Sequence, residues 1–466
     1  MSRTSTPALV AIAVAVSSIA LLQNLVIPLV PLVQAEFGIT ADAASWSMTS
    51  WLIAAAVATP TLGRIGDLKG RRATFLATLA VVAIGDVIAA IAPDLTVLII
   101  ARVMQGVGGA LFPLAYGLLR DALPRERVTG AIGVVSAVIG IGGAAGTVLA
   151  GPIADLVGWR GTFAVPFLVA VIGGFLTVTS VRDSGARAHG HVNAVSSLLL
   201  SIWLVALLVP LSIGSRWGWT APATLAFFAA AVLAFSAWIV RELRSSEPLV
   251  DLRLLASPAI WPANAASLLI GAGTFAFWGY LPQFLELSTE SGGTGLSVGD
   301  AGLVLVPLLI GMSGIGFAAG ALNRIVSLRT MLATGAILMA ASAASAAFAH
   351  TSPWQLALAG AGFGIGCGLA YAASASIVVQ SVPADVVGVA TGVNANLRTI
   401  GSAIGSAATG AIVFGAAAHG SGGGFATAWM LVAGCMLVAG LIVWIVRARV
   451  VRTTTTTPVA QLADVN

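Results

Sequence analysis

Residues Gly63 to Arg72 read GRIGDLKGRR, which puts four cations and one aspartate into ten positions between long apolar flanks. Charge at that density is conspicuous because the chain holds so little of it elsewhere. Of 466 residues, 58% are hydrophobic and 8% charged, where an ordinary soluble domain is about a quarter charged. So few ionic groups cannot cover a globular surface in water, and most of this surface is expected to meet lipid. A bilayer core of about 30 Å makes apolar runs of about 20 residues the unit to count. The pI near 10.0 does not indicate nucleic acid, because the cations sit singly or in short groups between apolar runs and form no basic face. Cys367 and Cys435 both fall inside apolar runs and show no disulfide or metal-site spacing.

Cutting at Gly, Pro and charged clusters gives six runs, near 8–33, 44–62, 73–92, 95–119, 128–151 and 161–181. Two follow near 194–213 and 221–240, then the polar connector RELRSSEPLVDLRLLASP. Six more lie near 258–286, 300–321, 328–349, 354–380, 387–415 and 426–447. The first run follows an arginine, as in a secretory signal, but Pro7 to about Val33 is too long for a cleavable segment, so it reads as a retained span. Abundant Gly and Ala suit helices packed in lipid, and the alternation of barrel strands is absent. The expected fold is an all-α polytopic membrane protein with fourteen spans. Its expected parts are a six-helix bundle over 1–183, two additional helices over 184–245 serving as a peripheral linker, a second six-helix bundle over 246–450, and a disordered cytoplasmic tail over 451–466.

Cations set the orientation, because Lys and Arg are retained on the cytoplasmic side. With the N-terminus inside, all of the 22 Lys and Arg residues except Arg102, Arg160, Arg216 and Arg398 fall in cytoplasmic segments, and the C-terminus returns to the cytoplasm. An internal repeat divides the chain further. Shifting by 259 residues lays LPRERVTGAIGV over VPADVVGVATGV, with Pro124 over Pro383, Gly133 over Gly392, Gly142 over Gly401 and Gly146 over Gly405. Equivalent positions in each six-span half point to duplication, and two halves imply a cleft between them.

GRIGDLKGRR resembles the hallmark loop of the major facilitator superfamily through Gly63, Gly66, Asp67, Gly70, Arg71 and Arg72. ARVMQGVGGA, in the fourth span, is similar to the signature of its drug:proton antiporters through Arg102, Gln105, Gly106, Gly108, Gly109 and Ala110. Fourteen spans and EPLVDLRLL after the eighth look like the fourteen-helix branch. Two departures stand out: Gly146-Thr147 replaces the antiporters' Gly-Pro, and Leu22, beside Gln23 and Asn24, occupies the place of the usual first-span aspartate. The charged loop admits two readings. Its cations can simply anchor the hairpin inside. The resemblance implies a conformational latch made by Gly63, Asp67, Gly70, Arg71 and Arg72, in which Asp67 binds Arg71 and the N-terminal amides of a helix in the opposite half.

Ionisable groups in hydrocarbon are costly, so each is a candidate site. Asp86 on the third span and Arg102 on the fourth lie about 10 Å and ~13 Å below the outer hairpin, at 1.5 Å per residue. Their depths match. They form a structural ion pair, or Asp86 carries a coupled proton with Arg102 tuning it, or Asp86 sits at the lipid interface. Gln105 shares a face with Arg102, and Tyr116 is deeper. On the thirteenth span, Asn394 and Arg398 share a face and either bond other helices or meet substrate. On the ninth, Trp278, Tyr280, Gln283 and Glu286 lie beside Phe275 and Phe277, as packing or as an aromatic pocket with one acid suited to apolar cations. Gln23 and Asn24 complete the expected substrate cavity. No histidine falls in a span, and no phosphate-binding loop points to ATP.

These features imply a proton-coupled secondary active transporter and not an enzyme. It would export hydrophobic, cationic drugs or antibiotics by alternating access, as a monomer in the plasma membrane. Its partners would be a small-molecule substrate, protons and the lipid bilayer, with no cofactor and no nucleic acid. A proton-coupled uptake carrier for a small nutrient is the alternative in the same fold; a non-transporting membrane sensor or channel is the alternative of another class.

Overall fold

The computed structural model describes residues 5–26, 29–183, 185, 191, 193–245, 248–418 and 424–446. Regular structure among them is entirely helical. The first half comprises α1 (Ser5–Leu25), α2 (Val30–Phe37), α3 (Ala41–Lys69), α4 (Arg71–Ala90), α5 (Leu95–Gly106), α6 (Leu111–Ala122), α7 (Arg125–Gly161) and α8 (Ala164–Ser180). Two helices follow, α9 (Ala194–Trp217) and α10 (Pro222–Arg244), then the short α11 (Leu252–Leu255). The second half holds α12 (Trp261–Trp278), α13 (Leu281–Glu286), α14 (Val298–Leu322), α15 (Leu328–Phe348), α16 (Pro353–Ser381), α17 (Val387–Ala418) and α18 (Gly424–Ile445). A 3-10 turn, Val107–Ala110, joins α5 to α6. Polar residues in the connectors start the helices: Thr40, Asp94, Asn193, Ser297 and Ser327 each accept a hydrogen bond from a first-turn amide.

All fourteen expected stretches are helical, but among the described residues only eleven helices are long and apolar enough to cross a membrane, or twelve if the bent pair Pro152–Gly161 and Ala164–Ser180 is one span. Fourteen spans are therefore not borne out among the described residues. Three stretches fall outside that count: α3 is rich in Ser, Thr and Trp, α8 has 17 residues, and the side chains of the last turns of α17 lie outside the described residues. Two of those three, α3 and α17, face the other half. The expected tail over 451–466 lies outside the described residues.

The repeat is visible in packing. α7 begins after Pro124 and α17 follows Pro383 by one 3-10 turn. Within their own halves, Gly142 of α7 backs onto Ala20 of α1, and Gly401 of α17 backs onto Leu268 of α12. Across the halves, α7 crosses α14 and α17 crosses α3, so the two seams are related as the duplication requires. The extra pair is not wholly peripheral. α10 is outermost and largely exposed, whereas Leu204 and Leu208 of α9, with Leu249 and Val250 of the connector, join Ala56 of α3 and Val389 and Ile400 of α17 in one apolar cluster over the α3–α17 seam.

Candidate functional site

The GRIGDLKGRR stretch is hardly a loop. α3 runs to Lys69 and α4 starts at Arg71, leaving Gly70 alone between them at φ 110°, a backbone region that L side chains rarely adopt. That sharp turn places Asp67 and Arg71 side by side: Arg71 donates from Nε (3.0 Å) and Nη2 (2.8 Å) to Asp67 Oδ1, and from Nη1 to Asp121 (2.8 Å). Asp67 then accepts from the backbone amides of Gly388 (3.1 Å) and Val389 (3.0 Å), at the N-terminus of α17 in the other half. The helix dipole favours an anion there. Arg71 also donates to the Ala384 carbonyl, and both Asp67 and Arg71 are buried. Gly63 completes the contact, because a Cβ on it would lie 2.5 Å from the Gly388 carbonyl oxygen. Arg72 departs from the expected latch: it donates to the Val178 carbonyl of α8 (2.8 Å), inside its own half.

From this end the seams run inward. Along α3–α17, Gly392 packs on Pro60, and Asn396 Nδ2 donates to the Ala56 carbonyl (2.7 Å). Along α7–α14, Asn323 Nδ2 and, from α16, Gln380 Nε2 donate to Thr129 Oγ1 (3.3 and 2.8 Å), Gly133 meets Gly316, and Ser313 Oγ donates to the Ala137 carbonyl (3.2 Å). Eleven residues from Asp67 to Ala56 is about 17 Å of helix, roughly half of a 30 Å core. Past mid-depth the same helices turn to their own halves. Trp51 and Ala55 of α3 meet Gly106 and Gly109, and Ser402 of α17 donates to the Gly271 carbonyl of α12 (3.2 Å). The structure is thus sealed at the arginine-rich face.

Asp86 and Arg102 do lie at one depth, but Gln105 stands between them. Gln105 Nε2 donates to Asp86 Oδ1 (2.8 Å), and Arg102 Nη1 donates to Gln105 Oε1 (2.7 Å). Arg102 Nε turns to the Ser47 carbonyl (2.9 Å), and its guanidinium lies 5.8 Å from the Trp51 ring centroid. Trp51 is buried. Asp86, Gln105 and Arg102 are at most 1% exposed, so the relay is enclosed and does not line an open cavity. Asp86 Oδ2 is buried without a hydrogen-bond partner.

The remaining expected residues separate. Asn394 Nδ2 donates to Asn264 Oδ1 and Ser267 Oγ (both 2.9 Å) beside Ser374, a buried and satisfied network joining α12, α16 and α17. Arg398 points elsewhere, with its guanidinium 4.5 Å from the Tyr371 ring centroid. Tyr116 is buried on α6. The aromatic stretch splits by helix face: Phe277 stacks on Phe363 (4.3 Å), Trp278 is half-buried against the core, and Tyr280 donates to the Ser406 carbonyl (3.0 Å). Phe275, Gln283 and Glu286 are exposed, so the expected acid does not join the cleft. Gln23 is half-buried, and the Asn24 side chain lies outside the described residues. Sequence reasoning missed Tyr371 and the cross-half partners Gly388 and Val389, which carry no motif of their own.

At the opposite face, Glu36 accepts hydrogen bonds from Arg160 and Trp159, and Arg160 also donates to the Ala92 carbonyl (2.7 Å). The hydrogen bond from Arg160, seconded by that from Trp159, holds the Glu36 carboxyl below its ordinary value of 4.5.

Comparison with known proteins gives this geometry its family. The sequence profile of the Major Facilitator Superfamily matches residues 12–406. The tetracenomycin C resistance and export protein of Streptomyces glaucescens is 31% identical over 87% of this chain and 76% of its own length. Multidrug resistance protein Stp of Mycobacterium tuberculosis (strain ATCC 25618 / H37Rv) is 27% identical over 89% of this chain and 76% of its own. A solved structure of the proton:xylose symporter XylE superposes with a TM-score of 0.70 at 14% identity, covering 95% of this chain and 96% of that one, a likeness of fold alone. The chain belongs to the major facilitator superfamily, as an all-helical, multi-pass membrane transporter.

Proposed function

We propose that this protein is a proton-coupled exporter of hydrophobic drugs or antibiotics that works by alternating access. One observation carries the alternating part: both cross-half seams occupy the same half of the membrane depth, α3–α17 fastened there by Asp67 and Arg71 and α7–α14 by Asn323 and Gln380 on Thr129. A carrier sealed at one face must part these seams to load from that face. With the arginine-rich face taken as cytoplasmic, this is the state that has released cargo outward. The outward direction draws on relatives named for resistance and export.

The coupled proton is assigned to Asp86. Its unpartnered Oδ2 is the atom at which a proton is held, and Gln105 connects it to Arg102, whose bonds to Ser47 and Trp51 tie the relay to α3. Protonation of Asp86 therefore bears on a seam helix. The protein acts as a monomer in the plasma membrane with both termini cytoplasmic. The test is substrate-driven proton movement in inside-out vesicles. Asp86→Asn abolishes proton movement and leaves substrate binding within about threefold; coupling retained in that variant refutes the assignment. Energy-dependent movement of substrate toward the cytoplasm would identify an uptake carrier instead.

A further inference from the structure

The central question left by the site is what answers Arg398. It lies on α17 eleven residues from the start of the helix, about 17 Å along the axis and so near mid-depth. Its guanidinium is only half-buried and makes no ion pair and no hydrogen bond among the described residues. Its one close partner is the face of Tyr371 on α16. α6 of the opposite half, which carries Tyr116, packs against α17. The position is therefore shared by both halves.

An uncompensated cation at mid-depth is costly unless an anion or water meets it. Among the described residues, the helices around it supply no anion at that depth. α1, α12, α16 and α17 contain no Asp or Glu, and the acids of α6, α7 and α14 lie near helix ends. Asp86, the acid at comparable depth, is enclosed with Gln105. Glu286, the acid whose place in the cleft motivated cationic cargo, is exposed beyond α12. An apolar cation entering this space meets like charge with nothing to offset it.

We infer that the cleft between the halves recognises hydrophobic anions, aromatic carboxylates or phenolates, with Arg398 on the charge and Tyr371 holding the guanidinium plane. A guanidinium fork matches a carboxylate through two parallel hydrogen bonds, and stacking on an aromatic face fixes its orientation. This rests on the transport reading above and sets anions in place of the cationic cargo expected from the sequence.

The test uses three probes of one shape, pyrene carboxylate, its methyl ester and pyrenylmethylammonium, binding to the full chain in nanodiscs by tryptophan-to-pyrene energy transfer against empty discs. The wild type binds the carboxylate at least about tenfold more tightly than the ester, and the ammonium most weakly. Arg398→Gln erases that ranking and leaves ester affinity within about threefold, while Arg398→Lys keeps part of it. If Arg398→Gln does not fold, the wild-type ranking and the lysine variant decide. Equal binding of the three probes, a preference for the ammonium, or a uniform loss in Arg398→Gln overturns the inference. Export is measured separately in energised inside-out vesicles. An Arg398-dependent anion preference without pumping sinks the export reading alone, and pumping of esters and cations indifferent to Arg398 sinks this inference alone.

Discussion

Replacing Gly63 by alanine should open the arginine-rich face. The new methyl group would stand 2.5 Å from the Gly388 carbonyl oxygen and 2.8 Å from its carbon, whereas ordinary contact begins near 3.4 Å. α3 and α17 must therefore separate by about 1 Å, and neither neighbour can yield, because both atoms are backbone. Overpacking of this kind costs about 1–3 kcal/mol. Alanine also favours helix over glycine by about 1 kcal/mol, but Gly63 is helical whether or not the seam is closed, so that gain cancels. The clash burdens the sealed state alone and shifts the equilibrium about five- to 150-fold toward opening. Gly302→Ala is the control, since nothing lies within 4 Å of the added Cβ. Spin labels at Glu126 and Ile325, exposed positions on opposite halves at the sealed face, report the separation by pulsed dipolar spectroscopy. A distance distribution in Gly63→Ala unchanged from wild type, or changed as much in Gly302→Ala, would refute the reasoning.

Two other outcomes follow from single contacts. Asp67→Asn keeps an acceptor but loses the charge that meets the Gly388 and Val389 amides; hydrogen bonds to charged groups are worth about 1.5–3 kcal/mol, so the same label pair should report a shift toward opening of at least about tenfold. At the other face, Glu36 is held below its ordinary 4.5 by Arg160 and Trp159. A depressed carboxyl contributes stability above its unfolded value that is lost as pH falls through the folded one. Glu36→Gln should therefore melt below wild type at pH 7, and the two melting curves should converge well under pH 4.5; a gap that persists there would exclude the pair as its source.

How much of this was legible in the sequence depended on whether the information was local. Asp67 and Arg71 are four residues apart on either side of the Gly70 turn, so their pairing could be read directly, and the cation partition and the repeat foretold two halves. Gly388 and Val389 could not be assigned to Asp67, because 321 residues separate Gly388 from it and backbone amides leave no trace in side-chain identity. Depth arithmetic placed Asp86 level with Arg102 correctly but carried no azimuth, and the arginine turns toward Ser47, leaving Gln105 to span the gap. The aromatic stretch misled for a related reason. Neighbours in sequence diverge by about 100° around a helix, so Phe277 enters the core while Phe275 leaves it. Counting spans by apolar length failed at α3, where cross-half contact exchanges apolar residues for Ser and Thr.

The most direct measurement joins Thr129 to Asn323. These side chains already touch across the α7–α14 seam, with Asn323 Nδ2 donating to Thr129 Oγ1 at 3.3 Å. With Cys367 and Cys435 replaced, the Thr129→Cys, Asn323→Cys double variant should cross-link under mild oxidation, and transport in vesicles should stop and return on reduction. Full turnover with the cross-link complete would mean that the sealed face never needs to part, and would contradict alternating access in this chain.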